Sequence, residues 1–330
     1  MKLLIVTDNL VSIGGGPAEP LPFSHLSLLR NIAKYHGVRI EDAPIVVLFP
    51  DNTGNYNELL VSKGDSLHGY GPLAKSKYLA ATHAHYLRNL HERVAHEKPT
   101  VILTLGPMAT WAFLRTASIR DVRGTTHPWR HGDRVFKIFP IYHPRAIFAE
   151  WELRAVLFAD MQKLAVELTF PEIRRPAREI WIEPAYGDLV RFEEEHILPA
   201  KQLSIDIETA GTLITCIGFA PRSDLALVVP FVTSKGLYWK SLDEEVHVWK
   251  WVRRICALDK QIVGQNFLYD AHHLWRNYGI PVPHAAEDTM LLHHALQPEL
   301  KKGLGFLASL YTSEARWKFM AKVKTTKKEN

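Results

Sequence analysis

A chain of 330 residues with 47% hydrophobic and 23% charged residues has enough apolar material for two cores of ordinary domain size. That balance excludes a disordered or collagen-like polymer. The two cysteines, Cys216 and Cys256, exclude a disulfide framework and any four-thiolate zinc or iron–sulfur site.

The net charge of +5 is unevenly placed: residues 314–330 carry six Lys/Arg against two Glu, so the remainder is close to neutral. A basic run of this kind binds phosphate or is simply a solvated terminus, so global charge does not establish nucleic-acid binding. The start MKLLIV has no long apolar core of a signal peptide, and no apolar stretch approaches the roughly 20 residues of a membrane span. The expectation is a soluble cytoplasmic protein with no membrane partner.

Residues 2–7 read as a buried strand opening into a loop with Gly14, Gly15, Gly16 and Pro17, followed by a helix over 23–36. That loop lacks the Lys-Ser/Thr of a phosphate loop. A strand at 45–49, a long helix at 73–97, a strand at 101–105, a helix from Pro107, a strand at 135–139 and a helix at 150–168 come next. Alternating strands and helices predict a three-layer αβα domain around a parallel sheet. His91 and His96 flank a Glu as in a zinc protease, but i and i+5 diverge by roughly 140° on a helix and cannot chelate one ion.

Residues 170–178, with two prolines and three arginines, read as a linker. Strands near 203–207, 213–220 and 225–231 then suit antiparallel hairpins. Ser241-x-x-Glu244 caps a helix to about Leu258, with Leu242, Val246, Trp249 and Val252 on one face. A strand at 262–264 and helices near 268–278, 288–297 and 303–311 complete a ribonuclease H-like α/β domain with a mixed sheet. The expected division is 1–169, a linker 170–178, 179–313, and a basic tail 314–330.

In Leu203-Ser-Ile-Asp206-Ile-Glu208-Thr209, residues two apart share a strand face, so Asp206 and Glu208 project together while Ile205 and Ile207 enter the core. Such a pair either holds a divalent cation with hard oxygen ligands or forms an ordinary solvated face. Val263-Gly-Gln-Asn266-Phe-Leu-Tyr269-Asp270 runs from a strand into a helix, with Asn266 and Asp270 on one side. Read alone, these two are an N-cap and a first-turn acid.

Together, D-x-E at Asp206/Glu208, N-x-x-Y-D at Asn266 to Asp270, and Glu287-Asp288-Thr-Met through Gly303-Leu-Gly-Phe-Leu-Ala resemble the DEDD exonucleases, and within them the proofreading domain of family A DNA polymerases. The resemblance covers about residues 200–312. It implies a 3′→5′ exonuclease using two Mg2+ or Mn2+ ions, with Asp206, Glu208 and Asp270 as catalytic metal ligands. It also implies that Thr209, Asn266 and Tyr269 contact substrate, a single-stranded DNA 3′ end.

The family's third motif, Y-x(3)-D, is missing: Tyr311-Thr-Ser-Glu314-Ala315 has no aspartate at the required step. The expectation is a metal site short of one ligand. It belongs to a lapsed enzyme, to a split or truncated polymerase, or to a chain completed by a DNA polymerase partner.

In the N-terminal half, Pro99-Thr-Val-Ile-Leu-Thr-Leu-Gly106, then Arg123-Gly124, then Tyr142-His143-Pro144 resemble the uracil-DNA glycosylase superfamily over about residues 2–168. The resemblance implies that His143 contacts the flipped base and that the loop after Pro144 presses into the duplex. The first family motif is altered to Thr7-Asp8-Asn9, where Asp8 either replaces the water-activating acid or caps the loop. The cysteines of an iron–sulfur cluster are absent. The joint expectation is a DNA replication or repair protein with an exonuclease domain and a degenerate glycosylase-like domain, or else a non-catalytic DNA-binding or polymerase-docking subunit.

Overall fold

The structure is a computed structural model and describes residues 2–11, 18–51, 56–74, 76–284 and 287–314. The glycine loop at 14–17 and the basic tail beyond Glu314 lie outside the described residues. The chain divides into two α/β units, one of residues up to Arg174 together with those from Gly303, the other of Arg175–Lys302.

The first unit is built on β1 (Leu3–Asn9), β2 (Ile45–Phe49), β3 (Val101–Leu105), β4 (His127–His131) and β5 (Arg134–Ile141), in the order β2-β1-β3-β5-β4. The first four in that order are parallel, and β4 is antiparallel to β5. β1 is buried at all seven positions, the mark of a strand covered on both faces. Alternate residues serve different layers. Leu4, Val6, Ile102 and Ile138 pack with Leu87, Leu90 and Val94 of α2 (Ala84–Glu97) and with Trp111 of α3 (Gly106–Leu114). Leu3, Ile5, Leu103 and Phe139 pack instead against α1 (Phe23–Tyr35) and α5 (Leu153–Glu167), which follows the short α4 (Pro144–Ala149). The expected three-layer arrangement is present.

Three elements differ from the sequence expectation. The helix expected over 73–97 starts only at Ala84, because Leu60–Val61 pairs antiparallel with Tyr78–Leu79 and buries Leu73 and Leu79 beneath the turn. β4 was not expected; its Pro128 fits because it lies on an edge strand, where a missing N–H breaks no ladder. The start of the expected linker is fastened to the first unit. Lys137 is buried and donates to the carbonyls of Glu167 and Phe170 at 2.8 and 3.0 Å, while Arg174 stacks on the Phe170 ring.

The second unit carries β6 (Glu179–Trp181), β7 (Gln202–Ala210), β8 (Leu213–Arg222), β9 (Leu225–Pro230), β10 (Gln261–Gly264) and β11 (Glu287–Asp288), ordered β11-β10-β7-β8-β9-β6. β7, β8 and β9 form an antiparallel meander, and β10 and β11 add in parallel on the other side of β7. Three antiparallel strands followed by two parallel ones, with the first in the centre, is the ribonuclease H-like order; β6 extends the far edge. Helix α6 (Leu242–Cys256) is capped as expected, Ser241 Oγ accepting the Glu244 amide at 3.1 Å. Its buried face, however, is Val248, Trp251, Val252 and Ile255, while Leu242 and Val246 are exposed. At about 100° per residue that buried face lies roughly 120° or more around the helix from the one Leu242 and Val246 share.

The helix α9 (Leu304–Tyr311) falls in the first unit, where the sequence had placed it with the exonuclease-like domain. Between them, α7 (Phe267–Tyr278) and α8 (Thr289–Leu296) belong to the second unit. Among the described residues, no helix is long and apolar enough to cross a membrane.

Candidate functional site

β7 alternates as its sequence requires: Leu203, Ile205 and Ile207 are buried, and Asp206 and Glu208 are exposed on the opposite face. Its pairing with β10 runs only from Gln202 to Ser204. Three residues beyond that ladder, the Ile207 amide donates to Asp270 Oδ1 at 2.8 Å. A side chain 63 positions away therefore takes the place of a strand partner, at the residue that lies between the two exposed carboxylates in sequence.

The start of α7 fixes where Asp270 lies. A Cβ on Gly264 would stand 2.4 Å from the Phe267 ring, so only glycine lets that ring fold back over the end of β10. Asn266 follows in the left-handed region at φ 57°, ψ 43°, and its side chain makes no capping bond. It is the N-cap by position, but the capping oxygens come from Asp288. On the exposed side of α7, Tyr269 OH and Thr209 Oγ1 share a 2.7 Å hydrogen bond, and the His273 ring packs on Tyr269 at 4.2 Å.

Asp270 is buried, and its pKa rises from 3.8 to about 6. Burial is the main cause, with repulsion from Asp206 and Glu208 added; the Ile207 amide pulls the other way. Burial, and then the Glu208 and Asp206 charges, also push up the Cys216 thiol on the neighbouring strand, which pairs in register with Glu208. The three carboxylates thus feel one another. They are hard oxygen donors, the chemistry a Mg2+ or Mn2+ ion needs. Among the described residues, no three His, Cys, Asp or Glu side chains converge closely enough to hold a metal ion by themselves. The donor set fits the ion in kind but not yet in convergence.

Asp288 is the residue that sequence reasoning passed over. It appears there within the Glu287-Asp288-Thr-Met stretch with no role of its own, and the signal was an acid at the last position of a strand preceding Thr289.

The first unit gathers a second constellation at the C-terminal end of β1. Asp8 is 1% exposed and accepts from Arg145 Nη2 at 2.5 Å and from Thr7 Oγ1 and Tyr56 OH, each at 3.3 Å. Tyr56 OH also donates to Asn9 Oδ1 at 2.6 Å. His143 caps α4: its Nδ1 accepts the Arg145 amide at 3.1 Å, which leaves the proton on Nε2 facing Thr7 Oγ1 at 3.3 Å and Asp8 Oδ1 at 3.9 Å. Burial lowers the His143 pKa from 6.5 to about 3, against the attraction of Asp8, so the ring is neutral. Tyr56 is pushed up to about 12, first by burial and then by Asp8. Asp8 and His143 are brought together, but His143 is 3% exposed and Asp8 is already paired with Arg145.

No family model matches the chain. Over 71 residues it is 34% identical to the type-4 uracil-DNA glycosylase of Sulfurisphaera tokodaii. The N-terminal region is similar to that glycosylase. The match takes in 20% of this chain and spans about a third (32%) of the length of that relative. Among solved structures, the EXD2 exonuclease domain soaked in manganese and GMP matches 40% of this chain and 68% of its own, at 18% identity and a TM-score of 0.27. The same domain soaked in manganese and magnesium matches 46% and 77%, at 16% identity and a TM-score of 0.27. The ribonuclease H-like order of the second unit rests on its own strand pairing.

Proposed function

We propose that this is a DNA-processing protein of replication or repair, whose second unit hydrolyses single-stranded DNA from the 3′ end with Mg2+ or Mn2+. The observation that carries the reading is Asp270 reaching across to the Ile207 amide, flanked by the exposed Asp206 and Glu208. Asp206 and Glu208 would hold the cations, and Asp270, itself buried, would add a third carboxylate to their field. Bound metal ions would stabilise negative charge on the attacking and leaving oxygens of the phosphodiester. Tyr269, held by Thr209, offers a ring edge and hydroxyl beside the carboxylates for the terminal nucleotide. Asn266, exposed at the start of α7, is the other contact the reading assigns to the substrate.

The first unit supplies DNA affinity in this reading, in keeping with its likeness to a glycosylase. Its Asp8 is engaged by Arg145, Tyr56 and Thr7, which leaves it poorly placed to activate water, so uracil excision is not part of the proposal.

The test is release of nucleotides from a 3′-labelled single strand with Mg2+ and with Mn2+, for the wild type and Asp206→Ala. The expected result is metal-dependent release that the variant abolishes. A second reading, a non-catalytic DNA-binding or polymerase-docking subunit, is favoured by the incomplete convergence of the carboxylates. It predicts salt-dependent DNA binding with no release by either protein in either metal.

A further inference from the structure

Two helices of the second unit begin at the same carboxylate. Asp288 Oδ1 accepts the Asn266 amide at 2.9 Å and the Met290 amide at 2.8 Å, and Oδ2 accepts the Phe267 amide at 2.9 Å. The β10–β11 register, Gly264 opposite Asp288, brings the acid to that point. Next to it, the Thr289 hydroxyl lies 3.1 Å from the Gly264 carbonyl and 2.5 Å from Gln265 Oε1.

An ordinary N-cap serves its own helix, as Asp288 does for α8 through Met290. The two other bonds serve α7. Asn266 stands in a left-handed conformation that is unfavourable for a non-glycine residue, and the two amides of that turn, those of Asn266 and Phe267, both end on Asp288. Asp270 comes one helical turn after Asn266 and inherits its position from that start.

We propose that Asp288 is a positioning residue of the carboxylate site: by accepting the Asn266 and Phe267 amides it holds the left-handed turn that sets Asp270 against the Ile207 amide. The use of the site rests on the exonuclease reading; the coupling from Asp288 to Ile207 does not.

Asp288→Ser keeps an oxygen able to cap α8 but cannot span both α7 amides. Asp288→Asn keeps one oxygen and turns an amide N–H2 toward the Phe267 N–H. Amide hydrogen exchange of the whole chain, without metal or DNA, reads the outcome residue by residue. In both variants the Ile207 amide should exchange at least tenfold faster than in the wild type, with Ile217 and Phe219 on β8 unchanged. Unchanged Ile207 protection overturns the proposal. So does a uniform rise across β7, β8 and β9, or failure of both variants to fold, since either makes Asp288 a general stability residue. A wild type that releases no nucleotides overturns the exonuclease reading alone, because the exchange experiment needs neither metal nor substrate.

Discussion

The Asp270 carboxylate and the Ile207 amide, 2.8 Å apart, tie the helix after the fourth ribonuclease H-like strand to the centre of the first. The bond stabilises the site, while the charge on Asp270 does not.

Asp270→Asn separates the two effects, because its amide oxygen still accepts the Ile207 N–H. The pKa of Asp270 is raised from 3.8 to about 6, so the folded protein holds that proton more tightly than the unfolded chain. Stability is then lost as pH rises from 3.8 through 6, and the full penalty stands above pH 6. Burial of the charge is the larger part of that penalty and repulsion from Asp206 and Glu208 the smaller; the buried Asn amide keeps part of the burial cost, which holds the net gain to about 1 kcal/mol. Asp270→Asn should therefore melt roughly 2–4 °C above the wild type at pH 7.5 without divalent cation. The gap should close as pH falls toward 3.8. Adding Mg2+ should raise the wild-type midpoint by more than it raises the variant's, because the variant keeps Asp206 and Glu208 but lacks the third charge. A variant that melts no higher at pH 7.5 would remove the penalty on the buried charge from the account.

Much of this site is legible in the sequence, and the reason is periodicity. Period-two alternation places Asp206 with Glu208 and buries Ile207 between them, and nothing in the tertiary structure disturbs that. The α7 start is legible as a helix boundary but not as a device. A left-handed Asn266 held by an acid 22 residues later is a non-local arrangement that no local pattern encodes. The same limit explains the helix beginning at Leu304. Its apolar spacing marks a helix, but spacing does not say which core receives it. The start expected at residue 73 failed because two short strands compete for the same apolar residues.

His143 gives a second pH test with the opposite sign. Burial, with Arg145 and His25 adding repulsion and Asp8 opposing, lowers its pKa from 6.5 to about 3. Between those values the unfolded chain takes up a proton that the folded chain refuses, so stability falls as pH falls below 6.5. The loss amounts to about 2 kcal/mol between pH 6.5 and 5. His143→Asn lacks the titrating group, and urea unfolding at pH 7, 6 and 5 should show a correspondingly flatter dependence. Parallel slopes for the two proteins would mean that the ring protonates in place, next to Asp8.

A buried charge cluster fastens the segment from Gly303 to the first unit. Arg123 Nη1 meets Asp160 Oδ1 at 2.6 Å with both side chains almost wholly buried. Arg123 Nη2 points at Ser309 Oγ at 3.4 Å, and Lys163 donates to the Ser309 carbonyl at 2.6 Å. Thr125 donates to the Ser313 carbonyl at 2.6 Å. Burial raises the Asp160 pKa against the pull of Arg123 and Lys163, and burial, opposed by Asp160 and assisted by Arg123, lowers that of Lys163 to about 8. Space is tight as well, since a Cβ on Gly124, at φ +73°, would lie 2.3 Å from Asp160 Oδ1. Asp160→Ala leaves Arg123 buried without its anion and should cost about 3–5 kcal/mol in urea unfolding. Arg123→Ala should cost a similar amount. The double variant should cost well under the sum, because the second change removes the charge that the first left stranded. Either single variant should also make the chain more sensitive to trypsin after Lys302, where the segment held by Ser309 begins. Additive costs with unchanged cleavage would show that α9 is held by the packing of Leu307 and Leu310 alone, and that the ion pair serves only the helix on which Asp160 sits.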